Sequence, residues 1–123
     1  MASPMGERLV IKIMQHTIFI ADKNGNDISS YTSIEDAQLH LEVIDVEGDE
    51  YVGYDHEGRL LNLGVDDKRK HVVITLAEDK PLHAKELETA ILTYLKMVGE
   101  PLHNDSAYDL PSIVKVWNRF LGK

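Results

Sequence analysis

Carboxylates and imidazoles are the side chains of this sequence able to bind a metal or move a proton; there are 21 acids, six histidines and no cysteine. Calcium is the first chemistry to test. An EF-hand loop needs oxygen ligands at its first, third and fifth positions, glycine at the sixth and a bidentate glutamate at the twelfth. From Asp45, Glu47 and Asp49 fit, but Glu50 and His56 occupy the glycine and glutamate positions. From Asp22, Asn24 and Asn26 fit, but Asp27 and Ser33 fail in the same way. A looser divalent site among Asp45, Glu47, Asp49 and Glu50 stays open as an alternative. His16, His40, His56, His71, His83 and His103 form no HExxH and no pair one helical turn apart, so no helix face offers two imidazoles to zinc. His83 and Glu86 stand one turn apart, which reads as a surface pair. No G-x-S-x-G is present, and Ser29, Ser30, Ser33, Ser106 and Ser112 sit in turn or cap contexts. The glycines are scattered and outline no phosphate-cradling loop. The expectation is a non-catalytic protein without a cofactor.

The elements that would carry these groups are legible from periodicity. Arg8 to Met14 and Thr17 to Ala21 are rich in β-branched residues and predict strands, the second closed by the turn Lys23-Asn24-Gly25-Asn26. Ser33 caps a short helix over about 34–42, with Asp36 at the capping-box position and Ile34, Ala37, Leu41 and Ile44 as its apolar stripe. Tyr51–Tyr54, Arg59–Val65 and His71–Leu76 predict three antiparallel strands joined by turns at 55–58 and 66–70. Leu87, Ala90, Ile91, Tyr94, Leu95 and Val98 form one helical stripe, stopped by Gly99 and Pro101. A last helix starts near Asp109 or Leu110, with Pro111 in its first turn and Leu110, Ile113, Val114, Trp117 and Leu121 as its stripe. Leu92, Val116 and Phe120 flank these stripes as either core or interface. The expected fold class is α+β, an antiparallel meander of about four to five strands with amphipathic helices packed on one face. Met1-Ala-Ser-Pro-Met5 reads as a leader, vector-derived or from an upstream start. Residues 1–7 are therefore set outside a single domain over 8–123.

Composition narrows the function classes. The chain has 43% hydrophobic and 28% charged residues, the balance of a globular domain large enough for its own core. Lack of cysteine excludes disulfides and thiol chemistry and fits the cytoplasm. No apolar run approaches the ~20 residues that span a bilayer, so no membrane partner is expected. Overall acidity argues against phosphate-backbone binding, so no nucleic-acid partner is expected, and the basic run Lys68-Arg69-Lys70 reads as a solvated turn.

Charge distribution is the strongest signal. No lysine or arginine lies between Lys23 and Arg59, and the 35 residues from Asn24 to Gly58 hold ten acids, giving −10 there and +2 over the rest of the chain. Such a window sets up a field that attracts a cationic partner and speeds its association. The carboxylates of the helix, the 45–50 loop and the 55–58 turn are consecutive and expected to share one side. Asp45, Glu47, Asp49, Glu50, Asp55 and Glu57 are the candidate steering residues for a basic protein partner. Tyr51 and Tyr54 point to opposite faces of their strand, so one is expected in the core and the other as an exposed anchor.

The segments Ile44-Asp45-Val46-Glu47-Gly48-Asp49-Glu50-Tyr51 and Tyr54-Asp55-His56-Glu57-Gly58-Arg59-Leu60 resemble bacterial immunity proteins of polymorphic and contact-dependent toxin systems. Pro81-Leu82-His83 leading into a helix that ends Val98-Gly99-Glu100-Pro101 adds to the likeness. The resemblance implies a cytoplasmic protein that binds one cognate toxin, often by covering its active site, without chemistry of its own. A basic toxin such as a nuclease fits the acidic window. The alternative is a small-ligand or divalent-metal sensing domain; an enzyme with a pocket between the sheet and helix 83–98 is the third reading.

Overall fold

In a computed structural model residues 17–102 and 108–122 are described; the expected strand Arg8–Met14 and the 1–7 leader lie outside them. Five antiparallel strands, β1 (Ile18–Asp22), β2 (Ile28–Tyr31), β3 (Tyr51–Asp55), β4 (Leu60–Val65) and β5 (Val72–Leu76), form one sheet in the order β2-β1-β3-β4-β5. Helices α1 (Ile34–His40) and α2 (Val43–Glu47) follow β2, while α3 (Ala84–Met97) and α4 (Leu110–Leu121) follow the sheet. The chain is therefore α+β, with β3, β4 and β5 forming the expected meander.

The register explains why β1 reads as an apolar run. Phe19 stands opposite Tyr54 and Ile20 opposite Gly53. Phe19, Ala21 and Tyr54 pack under α3 and α4, whereas Ile18 and Ile20 join Ala37, Val46, Leu61, Val72 and Ile74 on the other face. A strand covered on both sides carries no polar alternation. The two long amphipathic helices share one face, while the short α1 and α2 cover the second, so helices lie on both faces and not on one as expected. Because α1 touches both edge strands, β2 and β5, it lies across the gap that the curled sheet leaves. Gln38 of α1 accepts the Ile74 amide at 2.8 Å and so occupies one of the outward donors of the β5 edge.

Local chemistry sets the element ends. Asp22 accepts the Asn24 amide at 2.8 Å and closes the β1–β2 turn as an Asx turn. Ser33 accepts the Asp36 amide at 2.9 Å, and the Asp36 carboxylate returns to the Thr32 amide at 3.0 Å, one residue upstream of the usual capping box. Extended backbone at Leu41 and Glu42 stops α1 and resets the helical phase. That reset corrects one expectation: Ile44 is 71% exposed, and Val46 takes the buried place. Helix α3 ends in a Schellman arrangement, the Glu100 amide donating to Leu95 at 2.9 Å and Gly99 to Lys96 at 3.1 Å, with Gly99 at φ +80°. Asp109 caps α4 by accepting the Ser112 amide at 2.9 Å. Val116 is core, Leu92 and Phe120 are half-buried against it, and Leu121 is exposed rather than on the buried stripe. Trp117 is buried and donates its indole N–H to Ser30 at 2.8 Å.

The loop before α3 is held by one carboxylate. Glu78 accepts the amides of Leu60 and Leu82 at 3.0 and 3.2 Å and bonds the His83 imidazole at 2.9 Å. Gly58, at φ +90°, brings the β3–β4 turn against Ala84, and its carbonyl accepts the His83 amide at 3.1 Å.

Candidate functional site

The acidic window divides into two places. Asp45 and Glu47 lie on α2, with Asp49, Glu50 and Tyr51 in the turn and strand start that follow; Asp55 and Glu57 lie at the far end of β3. Four strand steps, roughly 13 Å, separate the two groups. The expectation of one shared side therefore holds only for the first group.

Bases from outside the window neutralise part of each group. Arg59 bonds Asp55 and Glu57 at 3.3 and 2.8 Å, which raises its own pKa, chiefly through Asp55. Asp55 also accepts the amides of Glu57 and Arg59 at 2.9 and 2.8 Å, so it serves as a turn bracket. Arg69 grips Glu47 through Nε and Nη2, the latter at 2.8 Å, and holds that carboxyl below its usual range. The basic run 68–70 is thus tied to the acidic window through its central residue. Lys23 reaches Asp49 at 2.6 Å.

What remains is concentrated on the α1–α2 layer. Glu35, Glu42, Asp45 and Glu50 have no cationic partner among the described residues, while Asp36 pairs with His40. Asp45 accepts the Tyr51 hydroxyl at 3.4 Å. The Asp45 charge, then partial burial, a hydrogen bond to Asp45 and the charge of Asp22 raise the Glu50 pKa. Burial first, then the charges of Asp45, Glu50 and Asp22, raises that of the Tyr51 hydroxyl. Asp45, Glu50 and Asp22 therefore act together on this spot.

Tyr54 must be removed from the candidate anchors. It is 2% exposed and packs in the core; burial, then the Glu86 carboxylate, raises its pKa. Tyr51 lies on the opposite face, in keeping with their three-residue spacing, but it is half-buried against the second core cluster, so neither tyrosine is the fully exposed anchor expected. The acidic layer also presents two apolar side chains that the sequence reading does not include: Leu39 is 83% exposed, and Ile44, expected inward, is exposed as well. Leu39 was legible, since it lies opposite Ile34, Ala37 and Leu41 on a helical wheel. Ile44 was not, because it depended on the phase reset at Leu41.

Beside the β1–β2 turn lies a hollow of about 320 Å³, lined by Ile20, Asp22, Asp27, Ile28, Ser29, Tyr51 and Tyr94. No lysine or arginine lines it. Among the described residues no three of the histidine and carboxylate side chains converge as metal ligands, and no helix is long and apolar enough to cross a membrane. No protein-family model, no curated protein and no solved structure matches the chain.

Proposed function

We propose that this protein is a non-catalytic binding domain whose acidic α1–α2 surface recognises a basic protein, in the manner of a cytoplasmic immunity protein that neutralises a cationic toxin such as a nuclease. One observation carries the reading. Residues 34–50 hold seven carboxylates and no lysine or arginine. Lys23 and Arg69, from outside the segment, pair with two of them, and Leu39 and Ile44 stand exposed on the same layer. Carboxylates steer and select, and apolar side chains freed of water on contact supply affinity. Leu39 and Ile44 would add apolar contact area to that charged layer. Asp45, Glu50 and Tyr51 stay central to the interface; Glu47 and Asp49 contribute through their pairs, and Asp55 and Glu57 are left as turn residues. The divalent-metal alternative has no convergent ligand set behind it among the described residues.

The test is capture from the source organism's lysate at low salt on immobilised protein, with elution by a salt gradient. A single basic protein leaving only at high salt, and lost from a Leu39→Ser/Ile44→Ser bait, supports the reading. Retention by that double variant as strong as by the native protein would overturn the placement of the surface.

A further inference from the structure

The hollow beside the β1–β2 turn has a composition that selects one ligand class. Asp22 and Asp27 enter from the two ends of the turn, Tyr51 and Tyr94 supply aromatic walls, and Ser29 and Ile20 complete the lining. Asp22 spends Oδ1 on the Asn24 amide at 2.8 Å, and Asp27 pairs with no cation among the described residues. Asp45 and Glu50 stand just outside, their negative charge bearing on Tyr51. An anion is repelled by four carboxylates. A bare divalent ion lacks converging ligands. A flat or extended organic cation meets both requirements, because carboxylates accept its N–H donors and the tyrosines lining the same hollow offer apolar contact to its stem. The volume of about 320 Å³ suits a head group with its alkyl stem.

We propose that this hollow is a receptor for an alkyl-guanidinium or alkylammonium group. The inference deepens the function proposed above: it rests on a basic partner, which would insert an arginine or lysine side chain here. A free polyamine presents the same chemistry, and the test separates the two sources.

Agmatine, an alkyl-guanidinium, is titrated into the full ¹⁵N-labelled protein at fixed ionic strength, with n-pentanol as the uncharged control. Saturable shifts confined to Asp27, Ser29, Tyr51 and Tyr94, with millimolar Kd of the order typical for so small a ligand, are expected; pentanol produces none. The Asp22→Asn/Asp27→Asn variant, checked for an unchanged spectrum elsewhere, should weaken binding tenfold or more. Asp27→Asn alone, at an exposed turn position, gives the same sign if the double variant fails to fold. A short Arg-containing peptide binding tighter than both agmatine and spermidine assigns the pocket to a protein side chain; spermidine binding tightest assigns it to a free polyamine. Unsaturable shifts spread over all surface carboxylates, or equal affinity in the Asp27→Asn variant, would overturn the proposal. No partner protein enters this titration, so its failure leaves the acidic docking surface standing, and a failed lysate capture leaves the pocket standing.

Discussion

Replacing Gly58 by alanine separates two costs that a glycine can hide, because Gly99 provides the control. Both residues have positive φ, +90° and +80°, a region that disfavours a side chain. At Gly99 an added Cβ meets nothing within 4 Å. Gly99→Ala therefore carries only the left-handed penalty, about 1–2 kcal/mol. At Gly58 the same Cβ falls 2.6 Å from the Ala84 nitrogen and closer still to its Cα, backbone atoms that cannot rotate away. Relief requires the turn and the first residue of α3 to part, which strains the Gly58 carbonyl bond to the His83 amide and the Glu78 bracket beside it. Loss of one such bond adds about 1 kcal/mol, and imperfect packing of α3 adds about 1–3 kcal/mol. The expected total for Gly58→Ala is about 3–6 kcal/mol, against about 1–2 kcal/mol for Gly99→Ala. A domain this size loses roughly 3–5 °C of Tm per kcal/mol, so the melting points of the two variants should differ by at least about 5 °C. Urea unfolding followed by Trp117 fluorescence gives the free energies directly. Equal losses in the two variants would refute the close docking of the β3–β4 turn on α3.

Three further outcomes follow from single contacts. Gln38→Ala strips the acceptor from the Ile74 amide on the β5 edge; a loss of about 1–2 kcal/mol, faster hydrogen exchange at Ile74 and a rise in concentration-dependent self-association are expected. The His83 pKa is raised above 6.5, first by its bond to Glu78, so His83 stabilises the fold below that pH and loses its contribution as pH rises through the folded value. Glu78 is held below 4.5, where the His83 and amide bonds outweigh burial, so its contribution is present above that pH and lost as pH falls through the folded value. An NMR titration should place His83 above 6.5 and return it towards 6.5 in Glu78→Gln; an unmoved His83 would refute the pair. Ser30→Ala leaves the buried Trp117 N–H without its 2.8 Å partner and should cost about 1–3 kcal/mol, whereas Trp117→Phe with Ser30→Ala should cost less than the sum of the single changes.

How much of this was legible in the sequence depended on which physical signal each element carries. Helices α3 and α4 announce themselves through long stripes and end signals, Gly99 after the first and Pro111 in the first turn of the second. Strands β3, β4 and β5 were placed by alternation and by their turns. β2 carries no such signal, because Ser29 and Ser30 lack β-branching and its strand character comes from pairing with β1 and from the Trp117 bond. α2 is too short, at five residues, to show a periodicity, and without it the helical phase of α1 places Ile44 on the wrong face. The carboxylates were all visible as a composition, but their neutralisation was not. Glu47 and Arg69 are 22 residues apart and Lys23 and Asp49 are 26, distances over which local patterns say nothing. The hollow was illegible for the same reason, since Tyr94 reaches it from the helix on the far side of the chain.

Pairing within the fold also decides which charges should matter. Asp49 is already matched by Lys23, so the informative reversal is at Asp45 and Glu50, which no base opposes among the described residues. The central claim is tested most directly by stopped-flow association of the captured basic protein with the native chain and with Asp45→Lys/Glu50→Lys, across a range of salt. If the α1–α2 surface is the docking face, the reversal slows association at low salt by on the order of tenfold or more and flattens its salt dependence. Unchanged rates and an unchanged salt slope would contradict it and place the partner elsewhere on the molecule.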